Sequence, residues 1–312
     1  MAYFGAFMKG ITDMKYKTLR VASLMLAASL TAVTAQAERI QLNGAGASFP
    51  APVYQVWTYA YTASEAGAAV NYQSVGSGAG RNQIREKTVD FAGTDDPVSP
   101  EDCKAWGLVQ IPMLRGPVVP IVNLPKVKAG ALKLTPKTLA KLFLGEITQW
   151  DDPQIAAENP GLKLPSLKVT VVHRADSSGT SAIFTRWLSS VSPEWKEKVG
   201  AGSSVKWPCG LGGQKNPGVC NNVAKIRGAI GYTEYTYALE AKLSVVSLPN
   251  EKGAFTRPDV TDWPILGTTY LLFRKDTPAD KLAALKAYLR WCFTEGTPLA
   301  VNLHYTALSQ AE

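Results

Sequence analysis

The residues best suited to chemistry lie in one short polar segment, 174–181, which reads Arg-Ala-Asp-Ser-Ser-Gly-Thr-Ser. The guanidinium of Arg174 and the hydroxyls of Ser178 and Thr180 are groups that bind small oxyanions. An apolar β-branched run precedes the segment and apolar residues at helical spacing follow it, so it is predicted to join a strand to a helix. The first N–H groups of such a helix lack internal partners and carry the positive end of its dipole. The segment is therefore either an oxyanion-binding turn or an ordinary helix cap formed by Asp176 or Ser178.

Polar turns of a similar kind follow three earlier predicted strands. Residues 44–50 read Gly-Ala-Gly-Ala-Ser-Phe-Pro, residues 76–80 read Gly-Ser-Gly-Ala-Gly, and residues 94–97 read Thr-Asp-Asp-Pro. A short helix is predicted at 81–87, after the second turn. Alternating strands and helices predict an α/β fold with mainly parallel sheets, in which ligands bind beyond the carboxyl ends of the strands. The glycine spacing at 76–80 touches that of dinucleotide-binding turns, but the unit is too short and lacks the acidic residue that such sites need.

Two long apolar stretches divide the chain. Residues 116–123 and 263–273 are rich in β-formers, and the residues between them have an α/β pattern of their own. The chain is therefore predicted to leave one domain through the first stretch and to return through the second, which makes a two-strand hinge. The predicted boundaries are 38–115 and 264–312 for lobe I, and 116–263 for lobe II.

The N-terminus has the features of an export signal. A basic region at 14–20 precedes mostly apolar residues, and Ala35-Gln36-Ala37 forms a small-x-small cleavage site. Residues 1–37 are therefore predicted to be a signal peptide, and no later run approaches the length of a membrane helix. The mature protein is expected to be soluble and periplasmic, and secretion beyond the periplasm stays open.

Composition and charge narrow the possible partners. The 312 residues are 46% hydrophobic and 19% charged, which is typical of a globular protein. The formal net charge of +8 suits small anionic ligands. Because no basic run or recognition motif is present, nucleic acid is not expected as a partner.

Four cysteines follow the predicted cleavage site: Cys103, Cys209, Cys220 and Cys292. An even number in an exported chain suggests disulfides, and the pair that flanks the glycine-rich loop, Cys209 and Cys220, is the favoured one. Free buried thiols are the alternative. No Cys-x-x-Cys is present and the chain has two histidines, so no metal site is predicted.

Several motifs resemble those of one protein family. They are residues 44–54 (Gly-Ala-Gly-Ala-Ser-Phe-Pro-Ala-Pro-Val-Tyr), Tyr72-Gln73 with Gly76-Ser77, residues 174–181, Lys206-Trp207-Pro208 and residues 228–232 (Gly-Ala-Ile-Gly-Tyr). The sequence resembles the periplasmic phosphate-binding proteins of PstS type, from about residue 40 to 245 and from 263 to about 305. The resemblance implies a two-lobed periplasmic binding protein fold (type II) that closes over phosphate. It also implies a non-enzymatic, monomeric protein without a cofactor, whose partners are inorganic phosphate and the membrane subunits of an ABC importer.

The resemblance also implies a set of phosphate-binding residues. These are Ser48, Phe49 (through its backbone N–H), Ser77 and Asp95 in lobe I, and Arg174, Asp176, Ser178, Gly179 and Thr180 in lobe II. Buried arginine is usually paired, so Asp176 is interpreted as the residue that orients Arg174 rather than as a direct ligand.

Asp95 is the informative member of this set. A carboxylate that faces a dianion is unfavourable unless it accepts the proton of HPO₄²⁻ in a charge-assisted hydrogen bond. Sulfate has no such proton, so it would leave two acceptors facing each other. The alternative role of Asp95 is the N-cap of a helix at 96–105.

A secreted phosphatase, or another exported phosphate-binding protein, is the alternative function. Hydrolysis would need a metal pair or an activated nucleophile, and the sequence offers neither.

Overall fold

The computed structural model describes residues 39–64, 67–258 and 262–308. The predicted signal peptide, residues 1–37, lies outside the described residues. The strands are β1 (Ile40–Gly46), β2 (Ala68–Ser74), β3 (Phe91–Thr94), β4 (Leu108–Val122), β5 (Thr170–Arg174), β6 (Leu211–Gly213), β7 (Ala229–Glu234), β8 (Ser244–Val245), β9 (Leu248–Pro249), β10 (Phe255–Thr256), β11 (Leu266–Arg274) and β12 (Thr306–Ala307). The helices are α1 (Ala51–Ala63), α2 (Ser77–Arg85), α3 (Pro100–Ala105), α4 (Pro136–Leu144), α5 (Pro153–Glu158), α6 (Gly179–Val191), α7 (Pro193–Lys198), α8 (Lys215–Lys225), α9 (Tyr235–Glu240), α10 (Ala279–Phe293) and α11 (Thr297–Asn302).

A single ten-stranded sheet contains most of these strands, in the order β2-β1-β3-β11-β4-β7-β5-β6, with β8 and β12 beside β4. The outer parts, β2-β1-β3 and β7-β5-β6, contain parallel pairs, as the alternating sequence pattern predicts. At the centre, β11 and β4 are antiparallel to each other and to their outer neighbours. The fold is therefore α/β, with a sheet whose outer parts are parallel and whose middle is antiparallel.

The long strand β4 belongs to both halves of this sheet. Its first part pairs with β11 from Leu108 to Pro117, and its last five residues pair with β7. At the crossover, the N–H of Val118 donates to the carbonyl of Ile265 at 2.9 Å. The indole of Trp263 donates to the carbonyl of Val118 at 2.8 Å. The two apolar stretches identified in the sequence thus lie side by side where the chain passes between the halves. The lobe boundaries drawn at this point stay a prediction.

Helix α2 begins four residues earlier than the sequence pattern predicts. The chain turns from β2 into this helix at Gly76, the N-cap residue, whose φ of +98° is one that glycine adopts without strain. Gly80, predicted to lie in the turn, is inside the helix, where a Cβ would stand 2.5 Å from the Cα of Gly46. Gly80 therefore allows the helix to pack closely on β1. This packing cannot be predicted from the local sequence.

Helix α6 is held by an aromatic cluster on its inner side. The rings of Phe184 and Tyr232 stack with their centroids 4.4 Å apart, and Phe143 meets Phe184 edge-on at 4.9 Å. All three side chains are fully buried. Burial of one such ring contributes about 1.5–3 kcal/mol, so the cluster fixes the start of α6 relative to β7.

The predicted disulfide between Cys209 and Cys220 is not formed in the structure. All four cysteines are free thiols. The sulfur of Cys209 lies 3.6 Å from the carbonyl oxygen of Phe143, whereas Cys220 is buried on α8, the helix that packs against β7. The two sulfurs face different neighbours because α8 turns Cys220 towards β7. Burial raises the pKa of the Cys220 thiol to about 11.

Candidate functional site

The amino ends of four helices meet between the two halves of the sheet. The N–H of Gly179, the first residue of α6, donates to the hydroxyl of Ser77, the first residue of α2, at 3.1 Å. The N–H of Asn216, in the first turn of α8, donates to the hydroxyl of Ser48 at 3.3 Å, just before α1. Each amino end adds N–H donors and a positive dipole end, so the region favours an anion.

Ser48 and Phe49 lie in the turn between β1 and α1, and both are buried. The carbonyl of Ser48 accepts a hydrogen bond from the hydroxyl of Tyr237 at 2.7 Å. The carbonyl of Phe49 accepts one from the hydroxyl of Tyr305 at 2.6 Å, and the two rings meet edge-on. Because both carbonyls are held from outside the turn, its backbone has a defined orientation.

Asp95 lies directly after β3 and is 2% exposed. Its Oδ1 accepts a hydrogen bond from the hydroxyl of Thr269 at 2.7 Å, and its Oδ2 lies 3.4 Å from the hydroxyl of Ser77. Burial raises the pKa of Asp95 to about 7, although the Thr269 hydroxyl and the charge of Arg174 oppose the rise. Asp95 is thus a buried carboxyl that exchanges its proton near neutral pH.

The alternative role of Asp95 as a helix cap is wrong. Helix α3 begins at Pro100, and its N-cap is Ser99, whose hydroxyl accepts from the N–H of Asp102 at 3.0 Å. The segment between Asp95 and Ser99 is not helical because Pro97 and Pro100 bias the residues before them to extended backbone.

Arg174 and Asp176 form a bidentate ion pair. The Nε and Nη2 atoms of Arg174 lie 2.8 and 2.5 Å from the two carboxylate oxygens. Oδ1 of Asp176 also accepts from the N–H of Lys215 at 3.0 Å. Burial alone would raise the pKa of Asp176, but the hydrogen bonds and charge of Arg174, with the N–H of Lys215, lower it below its ordinary value. Asp176 therefore stays ionised and holds two nitrogens of the guanidinium, which is the contact that its orienting role requires.

Ser178, Gly179 and Thr180 begin helix α6. Ser178 is the cap, since its hydroxyl accepts from the N–H of Ser181 at 3.0 Å. Gly179 packs so closely against the other half of the protein that a Cβ would stand 2.5 Å from both Oδ2 of Asp95 and Oγ of Ser77. The hydroxyl of Thr180 accepts from the side-chain amide of Asn216 at 3.3 Å. All nine residues predicted from the sequence therefore lie in one contiguous cluster.

Two further residues belong to the cluster and are not predicted from the sequence: Asn216 and Thr269. Asn216 is fully buried and contacts three predicted site residues: Ser48, Arg174 and Thr180. The sequence could have indicated Asn216, because β6 leads through Gln214 into α8 in the same order of strand, turn and helix as the other site segments. Thr269 lies in the middle of the apolar strand β11, where no sequence motif marks a threonine as a site residue.

A cleft of about 320 Å³ opens beside Asp95. It lies between α6 and the start of β11, and residues of both halves line it, among them Pro97, Arg186 and Leu266. At its edge, the carboxylate of Asp96 lies 3.0 Å from Arg81 and 3.3 Å from Arg186. The ion pair with Arg186 joins the two halves beside the site.

Comparison with known proteins identifies the family. The model of a PBP superfamily domain matches residues 31–295. The phosphate-binding protein PstS of Pasteurella multocida is 41% identical, over 94% of this chain and 93% of that protein. The chain belongs to the PstS family. The PstS of Haemophilus influenzae is also 41% identical, over 87% of this chain and 90% of its own length.

Solved structures show the same architecture as this PstS-family chain. A phosphate-binding protein from Stenotrophomonas maltophilia superimposes with a TM-score of 0.64 at 19% identity, covering 88% of this chain and 92% of its own. The fold is the two-lobed, type II periplasmic binding protein fold. Within the described ranges, no helix has the length and hydropathy needed to cross a membrane.

Proposed function

We propose that this protein captures inorganic phosphate between its two halves and delivers it to the membrane subunits of an ABC importer. One observation carries the proposal: hydrogen-bond donors from four helix amino ends, with one guanidinium and one buried carboxyl, meet at a single place. The names of the PstS relatives point to the same ligand.

The proposed phosphate ligands are Ser48, Phe49, Ser77, Asp95, Arg174, Ser178, Gly179 and Thr180, with Asp176 as the residue that orients Arg174. Hydroxyls and N–H groups serve the acceptor oxygens of HPO₄²⁻, and Arg174 supplies positive charge. Complete burial of Arg174 is tolerable because Asp176 pairs with it.

Asp95 is proposed to select phosphate over sulfate. Thr269 donates to Oδ1 of Asp95, and Oδ2, which accepts a long hydrogen bond from Ser77, keeps a second acceptor position for the ligand's hydroxyl. Phosphate and Asp95 then share one proton. Sulfate brings no proton, so it would need Asp95 to carry one. Against the ionised carboxylate it would place two acceptors in contact, which costs about 1–3 kcal/mol or more.

The two halves are proposed to be mobile lobes, with boundaries at 38–115 and 264–312 for lobe I and 116–263 for lobe II. The crossing segments, β4 and the residues before β11, would form the hinge. Contacts such as Gly179 with Ser77 and Arg186 with Asp96 would then form only when the lobes close. The protein is proposed to act as a monomer in the periplasm, after removal of residues 1–37.

Titration calorimetry with phosphate and with sulfate tests the binding function. Tight binding of phosphate with much weaker binding of sulfate is the expected result, and equal binding of both anions, or of neither, would refute the proposal.

We propose binding without turnover, so a secreted phosphatase remains the rival function. The same purified protein should release no phosphate from a phosphomonoester, with or without a chelator. Release of phosphate from the phosphomonoester would show that the protein is a phosphatase.

A further inference from the structure

We infer that Asn216 sets the direction of the hydroxyl hydrogens of Ser48 and Thr180, so that both hydroxyls act as donors to the bound anion. The inference rests on the proposed phosphate site and adds a positioning residue to it. Asn216 lies in the first turn of α8 and is fully buried.

Arg174 fixes which way the amide of Asn216 points. Nη1 of Arg174 lies 3.5 Å from Oδ1 of Asn216, and a guanidinium can only donate hydrogen bonds. The amide oxygen must therefore face Arg174. The NH₂ group is left for the other side, where the hydroxyl oxygens of Ser48 and Thr180 lie 3.2 and 3.3 Å away.

The hydroxyl of Ser48 then has one direction left for its hydrogen. Its oxygen accepts from the backbone N–H of Asn216 at 3.3 Å and from the side-chain NH₂ at 3.2 Å. A hydroxyl has two acceptor positions and one hydrogen. With both acceptor positions used, the hydrogen must point away from Asn216. Thr180 is less constrained: its oxygen accepts the other hydrogen of the same NH₂ group, which excludes Asn216 as the target of its own hydrogen and leaves that hydrogen for the ligand.

The chemistry explains why an amide occupies this position. A carboxylate here would accept from both hydroxyls and turn their hydrogens away from the ligand. It would also compete with the anion for Arg174. Asparagine keeps both hydroxyls as donors without adding charge, which suits a ligand that is rich in acceptor oxygens.

Replacement of Asn216 tests the inference through affinity. Calorimetry should show phosphate binding weakened about tenfold by Asn216→Ala, since two donors lose their orientation. Asn216→Asp should weaken it at least hundredfold. Asn221→Asp adds the same charge at an exposed position of the same helix and should stay within about twofold of the parent. Thermal melts without ligand confirm that each variant folds. Phosphate bound by Asn216→Asp as tightly as by Asn216→Ala would overturn the inference.

Neutron diffraction of the phosphate complex in D₂O locates the hydrogen positions directly. A merely structural role of Asn216 would not predict the directions of the hydroxyl hydrogens. The deuterons of Ser48 and Thr180 should point to phosphate oxygens, and those of the Asn216 amide should point to the two hydroxyls. A Ser48 deuteron directed at Asn216 would overturn the inference and leave phosphate binding intact. Failure of the parent protein to bind phosphate would instead refute the proposed function.

Discussion

Replacing Gly179 with alanine should weaken phosphate binding without destabilising the ligand-free protein. Gly179 is the first residue of α6, and its added Cβ would stand 2.5 Å from Oδ2 of Asp95, 2.5 Å from Oγ of Ser77 and 2.6 Å from Cβ of Asp95. Ordinary contacts to a Cβ atom begin near 3.4 Å. The methyl group would therefore occupy space that Asp95 and Ser77 fill when the proposed lobes meet.

The structure also indicates how large the effect should be. Asp95 cannot simply rotate away, because Thr269 holds its carboxyl and both residues are buried. Overpacking of this kind costs about 1–3 kcal/mol. Since 1.4 kcal/mol is tenfold in an equilibrium constant, the dissociation constant for phosphate should rise about 5- to 150-fold. The clash disappears when the lobes separate, so the ligand-free melting temperature should not change.

Calorimetry with phosphate and ligand-free thermal melts measure the two effects separately. Gly202→Ala is a matched control in the same proposed lobe, where the nearest atoms to an added Cβ are 3.8 Å away. It should bind phosphate as the parent does. A Gly179→Ala protein with parental affinity would refute the steric reasoning. A lower ligand-free melting temperature would place the clash in the resting fold and contradict the lobe movement.

Four other substitutions test separate parts of the site and its surroundings. Asp95→Asn should weaken phosphate by about 1–3 kcal/mol and raise the affinity for sulfate relative to phosphate, because the amide can donate to an oxygen without a proton; an unchanged ratio of the two affinities in calorimetry would contradict the proton-sharing role. Arg174→Ala should weaken phosphate binding by about 2–5 kcal/mol in calorimetry, since Asp176 is left without its partner. Arg186→Ala removes a side chain that is 56% exposed, so it should weaken phosphate binding by about 1 kcal/mol or less. Burial raises the pKa of Glu234 from 4.5 to about 8, so the folded state keeps a proton that the unfolded state releases, and stability falls as pH rises through that range. In urea unfolding, Glu234→Gln should therefore stabilise the protein more at pH 8 than at pH 5, and an equal effect at both would show that the carboxyl is ionised throughout.

The sequence alone was enough for features that depend on neighbouring residues. The spacing of Leu282, Leu285 and Leu289 predicts a helix over residues 279–293, and α10 has these bounds. The turn at Ser178 caps α6 because a hydroxyl in that position reaches an N–H three residues later. Such bonds form within one turn of chain, so residue types and their order determine them.

Tertiary structure alone decided the features that join distant residues. The contact of Gly179 with Ser77 spans 102 positions, and that of Asn216 with Ser48 spans 168. The antiparallel centre of the sheet, the separation of Cys209 from Cys220 and the pairing of Thr269 with Asp95 likewise depend on which strands and helices meet. Packing of buried surfaces sets these neighbours, and no local pattern records it. The sequence thus determined which chemical groups are available at the end of each strand, and the packing of the strands and helices determined which of them act together.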